Sequence, residues 1–362
     1  VASVARKIHL SQPAVTQAIS KLEQQLDISL FDRSPQGMTA TDAANLIRPR
    51  IEDALDKIGS NNITSAQVRA FIALSRTSSY SEASILTGLA TATLHRSIAD
   101  LEITVSRKLL ERRGRGIEIT TRGKSLARKF RLAEAELSSA LNELAGLKGN
   151  NQERIAIGAM PLCRARLLPA AVISFQKAAP DVEIVIAEGA YAELIEPLRD
   201  GELDILIGAL RPHSPGPDVS MDELFIDQPV VIARKGHPLD ELDREISFEE
   251  LSSFPWIIPP GGAPLRQQWD KMMDHRSAPT IKVPVECSSV IAARQILMGT
   301  DYLTVLSPDQ VAVELEAGWL SIISKTPRIM ARRIGIYSRS DWRPTNAQRE
   351  FIEQLKHHAR DY

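Results

Sequence analysis

The sequence predicts an α+β multidomain chain, and three observations predict it. At 362 residues the chain exceeds what one hydrophobic core usually serves, so two or three modules are the starting expectation. Charge divides near Gly149. Residues 1–150 hold 21 Lys and Arg against 15 Asp and Glu, and the remainder holds 23 against 30, so a net charge of −1 conceals a basic front half and an acidic back half. Periodicity divides at the same place, with helical spacing before Gly149 and apolar strand-like runs alternating with helical stretches after it. A basic module for a polyanion joined to a module with another task is the simplest reading. No apolar run of about 18 residues and no charged-then-apolar leader is visible, so a cytoplasmic location without a membrane partner is expected. Cys163 and Cys287 lack C-x-x-C spacing and read as core thiols, and no metal or cofactor is expected.

The basic half repeats itself. A gap-free shift of 79 residues lays Val4–Ile47 on Ala83–Leu126 and matches Leu10, Ile19, Leu22, Glu23, Leu30, Arg33, Gly37 and Thr41 with Leu89, Ile98, Leu101, Glu102, Leu109, Arg112, Gly116 and Thr120. Two copies are too few for a solenoid. In the first copy Ser3–Ile8 reads as a short helix and His9-Leu10-Ser11 as a tight turn. Ser11 would cap a second helix that has Pro13 in its first turn and runs to about Leu26. Val15, Ile19, Leu22 and Leu26 form its expected buried stripe. Gln12, Thr16, Gln17, Ser20 and Lys21 face outward, where glutamine and threonine match base edges and the lysine suits a phosphate. Leu30-Phe31-Asp32-Arg33 and Gly37-Met38-Thr39 fit a hairpin with Arg33 at the nucleic-acid backbone. The alternative is an amphipathic helix packed on a partner protein.

The run from Leu10 to Glu23, followed by Leu30-Phe31-Asp32-Arg33, resembles the DNA-binding signature of LysR-type transcriptional regulators. The resemblance implies a winged helix-turn-helix in which Gln12, Pro13, Thr16 and Gln17, beside the capping Ser11, approach bases of double-stranded DNA while Lys21 and Arg33 hold phosphates. The chain departs from the family twice. It opens at Val1 inside the module, with no counterpart of the helix expected at Ser65–Ser75, so a missing N-terminal stretch is expected; and a typical member has one winged helix, not two. At the positions of Gln12, Pro13, Thr16, Gln17 and Lys21 the second copy has Thr91, Ala92, His95, Arg96 and Asp100. Its candidate DNA contacts are Thr91, Thr93, His95 and Arg96 on the helix and Arg112, Arg113 and Arg115 on the wing. Residues 107–131 hold ten cations against Glu111 and Glu118, a density that suits phosphates better than a solvated face.

From Thr121 to about Lys148 a long helix carries Leu126, Phe130, Ala133, Leu137, Ala140, Leu144 and Leu147 at alternating spacings of four and three, the pattern of a coiled-coil seam. A second copy of the chain is its expected cover, as the resembled family uses this helix to dimerise, so a homodimer or tetramer is expected. Packing against its own domain is the alternative.

In the acidic half, strands are expected at Ile155–Met160, Val182–Glu188, Leu203–Gly208, Val230–Arg234, Trp256–Pro259, Val283–Glu286, Leu303–Leu306 and Ile334–Ser338, alternating with helices. Ile155-Ala156-Ile157-Gly158, Pro180-Asp181-Val182-Glu183, Gly201-Glu202-Leu203-Asp204 and His237-Pro238-Leu239 resemble the effector-binding domain of the same family. This implies a two-lobed α/β domain of periplasmic-binding-protein type 2-like architecture, with crossings expected near Ala233 and Lys325. Ligands of such sheets sit at the carboxyl ends of strands and at helix N-termini. The candidate effector contacts are therefore Met160, Pro161, Leu162, Cys163, Ala190 and Tyr191 in one lobe and Gly261, Arg266, Ser288 and Ser289 in the other, with Arg164, Arg166 and Arg266 available to a carboxylate. Met160-Pro161-Leu162 and Glu286-Cys287-Ser288-Ser289 are similar to the branch typified by a galactose-binding-protein regulator, which implies a sugar, sugar acid or small carboxylate. The expected domains are 1–59 and 60–120 for the winged helices, 121–149 for the linker helix, and 150–362 for the effector domain, with lobe I at 150–232 and 325–362 and lobe II at 233–324. Together these imply a DNA-binding regulator whose promoter binding answers to a small molecule and which acts on RNA polymerase indirectly. A solute-binding protein of a transport system is the alternative. No H-E-x-x-H, G-x-S-x-G or phosphate-cradling glycine loop points to an enzyme.

Overall fold

The computed structural model describes residues 5–6, 10–34, 37–113, 116–149, 153–242, 244–273 and 281–362. They form two compact units, one running up to Glu153 and including Asp200–Glu202, the other made of Arg154–Arg199 and Leu203–Tyr362.

In the first unit α1 (Gln12–Leu26) begins where the Ser11 hydroxyl accepts the Ala14 N–H at 3.3 Å, and it ends at Asp27, whose φ of 48° turns the chain out of the helix. β1 (Phe31–Ser34) pairs antiparallel with β2 (Gly37–Ala40), and α2 (Asp42–Ile58) follows from a Thr41 cap. After α3 (Ser65–Thr77) and α4 (Tyr80–Thr87), the same sequence of elements returns as α5 (Thr91–Thr104), the β3 (Leu110–Arg113) and β4 (Gly116–Ile119) hairpin, and α6 (Thr121–Leu147) capped by Thr120. The polar fastenings return as well. Glu23 Oε1 accepts the N–H groups of Leu30 and Phe31 at 2.9 and 3.0 Å, and Glu102 Oε1 accepts those of Leu109 and Leu110 at 2.7 and 3.2 Å. Asp27 and Ser106 share the left-handed backbone, with φ of 48° and 51°.

The two copies differ in what covers them. Leu101, fully buried, shares a core with Phe71 and Leu74 of α3. Its counterpart Leu22, expected in the buried stripe, is 46% exposed, because no such helix covers it among the described residues. Val15 is buried as expected, while Ile19 and Leu26 are half-buried.

α2 was not expected. Pro49 and a dense run of charges from Arg48 to Lys57 hide the helical spacing of Ala43, Ile47, Ile51 and Ala54. Its presence corrects the reading of the α6 seam. Ala43 and Ile47 near the start of α2 share a core with Ala140 and Leu144 near the end of α6, and Ile58 at the other end of α2 packs on the core holding Ala127 and Phe130. The two helices therefore run antiparallel. The cover for Phe130, Ala133, Ala140 and Leu144 comes from the same chain, whereas Leu137, Leu141 and Leu147 stay exposed. Within this contact Arg50, 4% exposed, donates to Glu143 through Nε and Nη2 at 2.9 and 2.7 Å and to Glu136 through Nη1 at 3.1 Å. Burial works against its charge, but the hydrogen bonds and field of Glu143, and then of Glu136, outweigh it and hold the guanidinium pKa above its ordinary value.

The second unit holds a five-stranded sheet of order β6-β5-β7-β14-β8 and a three-stranded sheet of order β12-β9-β13, with a parallel β10-β11 pair beside the latter. The first sheet uses β5 (Arg154–Ala159), β6 (Glu183–Glu188), β7 (Ile205–Ala209), β8 (Val219–Asp227) and β14 (Arg332–Arg339), and carries α7 (Leu167–Ala178), α8 (Tyr191–Arg199) and α13 (Asn346–His358). The second uses β9 (Val230–Arg234), β12 (Thr304–Leu306) and β13 (Leu320–Lys325), with α9 (Phe248–Ser253), α10 (Pro264–Met273), α11 (Val290–Met298) and α12 (Ala312–Glu316) around it and around β10 (Ile257–Ile258) and β11 (Val285–Glu286). β8 and β13 were not expected, since Asp222 and Glu223 interrupt the one and Ser321 and Ser324 the other; each lies at the edge of its sheet, where one side need not be apolar. Two expected strands shrink to two residues each, Trp256–Pro259 to β10 and Val283–Glu286 to β11. β7 starts at Ile205, after Asp204, whose carboxylate accepts the Ala156 N–H and whose own N–H donates to the Ala156 carbonyl, both at 2.8 Å.

Because β8 ends in one sheet and β9 begins in the other, the first crossing falls at Gln228-Pro229, ahead of the expected Ala233; the return falls between Lys325 and Arg332. The crossing strands are tied. Gln228 Nε2 donates to Thr326 Oγ1 at 2.7 Å, and that hydroxyl donates to the Pro229 carbonyl at 2.5 Å.

Two stability effects follow. Arg50→Met should cost about 3–5 kcal/mol in urea unfolding, because it leaves two largely buried carboxylates without their cation; a loss below about 1 kcal/mol would show the pair to be idle. His237 is fully buried with Nδ1 accepting the Leu239 N–H at 3.1 Å, and burial lowers its pKa below 6.5. The unfolded chain then binds a proton that the folded chain refuses, so stability should fall as pH drops below 6.5 towards the folded pKa. In thermal melts His237→Asn should remove that part of the acid sensitivity.

Candidate nucleic-acid interface and ligand-binding lobes

The outward face of α1 is polar and uncharged apart from Lys21. Ser11, Gln12, Pro13, Gln17 and Lys21 are exposed, and Ser11 is occupied as the cap. Thr16 donates its hydroxyl proton to the Gln12 carbonyl at 3.0 Å, which leaves the oxygen able to accept and the methyl able to touch a thymine methyl. Arg33 on the hairpin donates to Ser20 Oγ at 2.6 Å and lies 4.0 Å from Glu23, so it is held against α1 with its side chain 54% exposed. The structure thus gathers the residues of the first copy on one helix and the adjoining hairpin.

The second copy presents a different face. Thr91, Thr93, Arg96 and Arg112 are exposed. His95 is exposed, with one ring face stacked on Tyr80 of α4, centroids 3.6 Å apart, in the wall of a cavity of about 840 Å³ between α5 and the hairpin. Lys108 pairs with Glu102 at 2.8 Å, while Arg107, Arg122, Lys124 and Lys129 are exposed. The side chain of Arg113 and the whole of Arg115 lie outside the described residues. Gly123 lets α6 start this close to the hairpin, because a Cβ there would meet the Leu109 carbonyl at 2.4 Å.

In the second unit the expected ligand contacts divide. Met160, Leu162 and Cys163 are buried in the lobe cores; Met160 fills the space over Gly208, and burial pushes the Cys163 thiol up to about 12, where it carries no thiolate. Pro161 and Tyr191 are half-buried, and Ala190, Gly261, Ser288 and Ser289 are exposed. Ser289 caps α11 by accepting the Ala292 N–H at 3.3 Å. The three arginines thought available to a carboxylate already have one: Arg164 pairs with Glu188, Arg166 with Glu316, and Arg266 with Asp270 and Glu286 at 2.8 and 2.7 Å. β5, β6 and β7 are parallel, so the segments after each emerge at one edge of the sheet, and so do those after the parallel β10 and β11.

Sequence reasoning missed the segment after β7. Arg211 lies 4.4 Å from the Tyr191 ring centroid and has no carboxylate partner among the described residues. Its N–H donates to Tyr337 Oη at 2.7 Å, and that hydroxyl donates to the Ala209 carbonyl at 2.8 Å. Burial pushes Tyr337 up to about 12 and raises Tyr191, so both rings stay neutral. The end-of-strand rule, applied to the third parallel strand as it was to the first two, would have found Arg211.

A helix-turn-helix with a hairpin wing in front and a two-lobed α/β unit behind define a DNA-binding regulator with a ligand-binding domain. The chain belongs to the LysR family of transcriptional regulators: residues 148–360 match the LysR substrate binding domain, and residues 1–45 and 65–124 match the bacterial regulatory helix-turn-helix protein of the lysR family. It is similar to the HTH-type transcriptional regulator GalR of Pseudomonas putida, 29% identical over 343 residues that cover 91% of this chain and 86% of the relative. It is also similar to the regulator GbpR of Azospirillum brasilense, 25% identical over 66% of this chain and 70% of the relative. In fold it resembles the full-length OxyR of Pseudomonas aeruginosa, with a TM-score of 0.62 at 22% identity over 83% of this chain and 96% of that one. These relatives are regulators, which sets aside the transport reading. No helix among the described residues is long and apolar enough to cross a membrane.

Proposed function

We propose that the two matched segments are a tandem duplication of one winged helix-turn-helix, that both meet double-stranded DNA, and that they divide the work. The observation that carries this reading is the contrast between equivalent faces. α1 offers Gln12, Thr16 and Gln17, whose amides and methyl suit base edges. The second copy offers Arg96 and Arg112 amid the exposed cations of its hairpin and α6, which suit phosphates whatever the sequence. The first copy sets preference and the second adds affinity.

The two-lobed unit, of periplasmic-binding-protein type 2-like architecture, would take a small ligand between Ala190, Tyr191 and Arg211 in one lobe and Gly261, Ser288 and Ser289 in the other. Arg211 replaces the paired Arg164, Arg166 and Arg266 as the cation for a sugar acid or small carboxylate. Met160, Leu162 and Cys163 shape the pocket from beneath, through packing. The chain would associate as a homodimer or tetramer through faces other than the covered part of the α6 seam, and would act on RNA polymerase indirectly.

Gln12→Ala should relax preference at one base position by about 1–3 kcal/mol, while Arg112→Ala with Arg113→Ala should weaken all sequences alike and flatten the salt dependence. Binding curves on a matched and a scrambled duplex check this, and equal loss of preference in both variants would overturn the division. For the ligand, sugars, sugar acids and small carboxylates screened by thermal shift should raise the melting temperature of the parent but not of Arg211→Ala or Ser289→Ala. Both variants should keep ligand-free DNA affinity within about 1 kcal/mol.

A further inference from the structure

We infer that one chain is by itself a complete two-headed DNA reader, a covalent counterpart of a symmetric dimer, and that its operator is therefore unlike in its two halves. This rests on the reading of α1 and α5 as DNA-facing helices.

The α2–α6 contact carries the inference. α2 and the first part of α6 are equivalent under the 79-residue repeat, and they pack antiparallel. Ala43 and Ile47 share a core with Leu144 and Ala140, and Arg50 bonds Glu136. With Ala43 set against Leu144, Ile47 against Ala140 and Arg50 against Glu136, the antiparallel register extrapolates to Ala54 against Ala133, which are equivalents under the shift and are each 1% exposed. Two equivalent helices crossing antiparallel at equivalent residues are related by a local two-fold axis.

The exchange is reciprocal. α2 leaves the first hairpin and ends on the core of the second copy, where Ile58 packs, and α6 leaves the second hairpin and ends on the first copy. There Lys148 Nζ donates to the Leu26 carbonyl at 2.7 Å and pairs with Asp27, closing the C-terminal end of α1. Neither head is free to swing alone.

Spacing agrees with a duplex. α6 has 27 residues, about 40 Å at 1.5 Å per residue, and the second copy sits near its start while the first sits at its end. That span has the scale of one helical turn of DNA, about 34–36 Å, the separation at which two-fold-related helices enter successive major grooves. The symmetry stops at the scaffold, because Gln12, Thr16 and Gln17 stand where the other head has Thr91, His95 and Arg96. An inverted repeat would match one head and misfit the other.

The test uses the full chain with Cys287→Ser, which leaves only the buried Cys163. A single thiol is added at Ala18→Cys on α1 or at the equivalent Ser97→Cys on α5 and tagged with iron-EDTA. Duplexes are enriched from a random-sequence library on the untagged chain, and sedimentation counts chains per duplex. The expected result is a non-palindromic motif with two protected grooves per bound chain, cut by the two tags in different halves about one helical turn apart. Cutting by the Ala18 tag alone, with one protected groove per chain, would overturn the inference and leave DNA reading by α1 intact. A palindromic motif cut in both halves by each tag would also overturn it. Absence of any enriched duplex would overturn the DNA-facing reading of both helices. Hydroxyl-radical protection by the untagged chain decides the number of grooves if Ser97→Cys fails to fold.

Discussion

A 27-residue helix with an apolar stripe along it needs cover for most of that stripe. Each buried leucine or phenylalanine contributes about 1.5–3 kcal/mol, and isolated helices are held chiefly by the packing of such faces. In this chain α2 covers the part of the stripe at Ala140 and Leu144 and α3 the part at Phe130, and the arrangement of the first unit follows from these pairings. Apolar contact alone would tolerate a slip by one turn. Arg50 does not, because its guanidinium is satisfied only in the register that sets Glu143 and Glu136 beside it, and an unpaired buried cation would cost several kcal/mol. Burial supplies the attraction and the ion cluster selects the register.

With the scaffold fixed in this way, the two copies of the repeat differ chiefly on their surfaces. The internal devices are kept: threonine caps at Thr41 and Thr120, and carboxylates at Glu23 and Glu102 that hold the strand after α1 and after α5. These groups bind the backbone of their own copy and have no part in facing a ligand. The outward positions have no such duty. Replacing Gln17 by Arg96, or Lys21 by Asp100, alters what the face can bind without touching a core contact.

The sequence made the repeat, the recognition helix and both hairpins legible because each is a local pattern: a cap, a helical stripe, a pair of short strands. The identity of the partner covering α6 was not legible, since a seam records that an apolar face needs cover and says nothing of who provides it. α2 could have been found from Thr41 as the counterpart of Thr120, but Pro49 and its charges obscured the stripe. The exposure of Leu22 was invisible for a similar reason, because its burial depends on a neighbouring helix and its own spacing is correct. In the second unit the parallel strands were readable as apolar runs, and the edge strands β8 and β13 were not, since half of each faces outward. The ligand residues were half legible. Strand order places Tyr191 and Ser289 at strand ends, but only side-chain geometry shows that Arg164, Arg166 and Arg266 are already paired and that Arg211 is not.

If both heads face DNA as proposed, their shared helix pair constrains how a ligand can act on the chain. A ligand shifts an equilibrium only by its difference in affinity for two states. The crossing segments are tied at Gln228, Pro229, Thr326 and Pro327, and the Arg166–Glu316 pair joins the start of α7 in one lobe to α12 in the other, so a ligand that favoured one lobe angle would have to act against these ties. The heads, too, are tied within a chain, because moving one relative to the other would break the α2–α6 core and strand Arg50. On the proposed reading the spacing between the heads of one chain would be the same with and without ligand, and a ligand-driven lobe movement would act on the relation between chains along the DNA, and with it on the bend of the duplex between their sites.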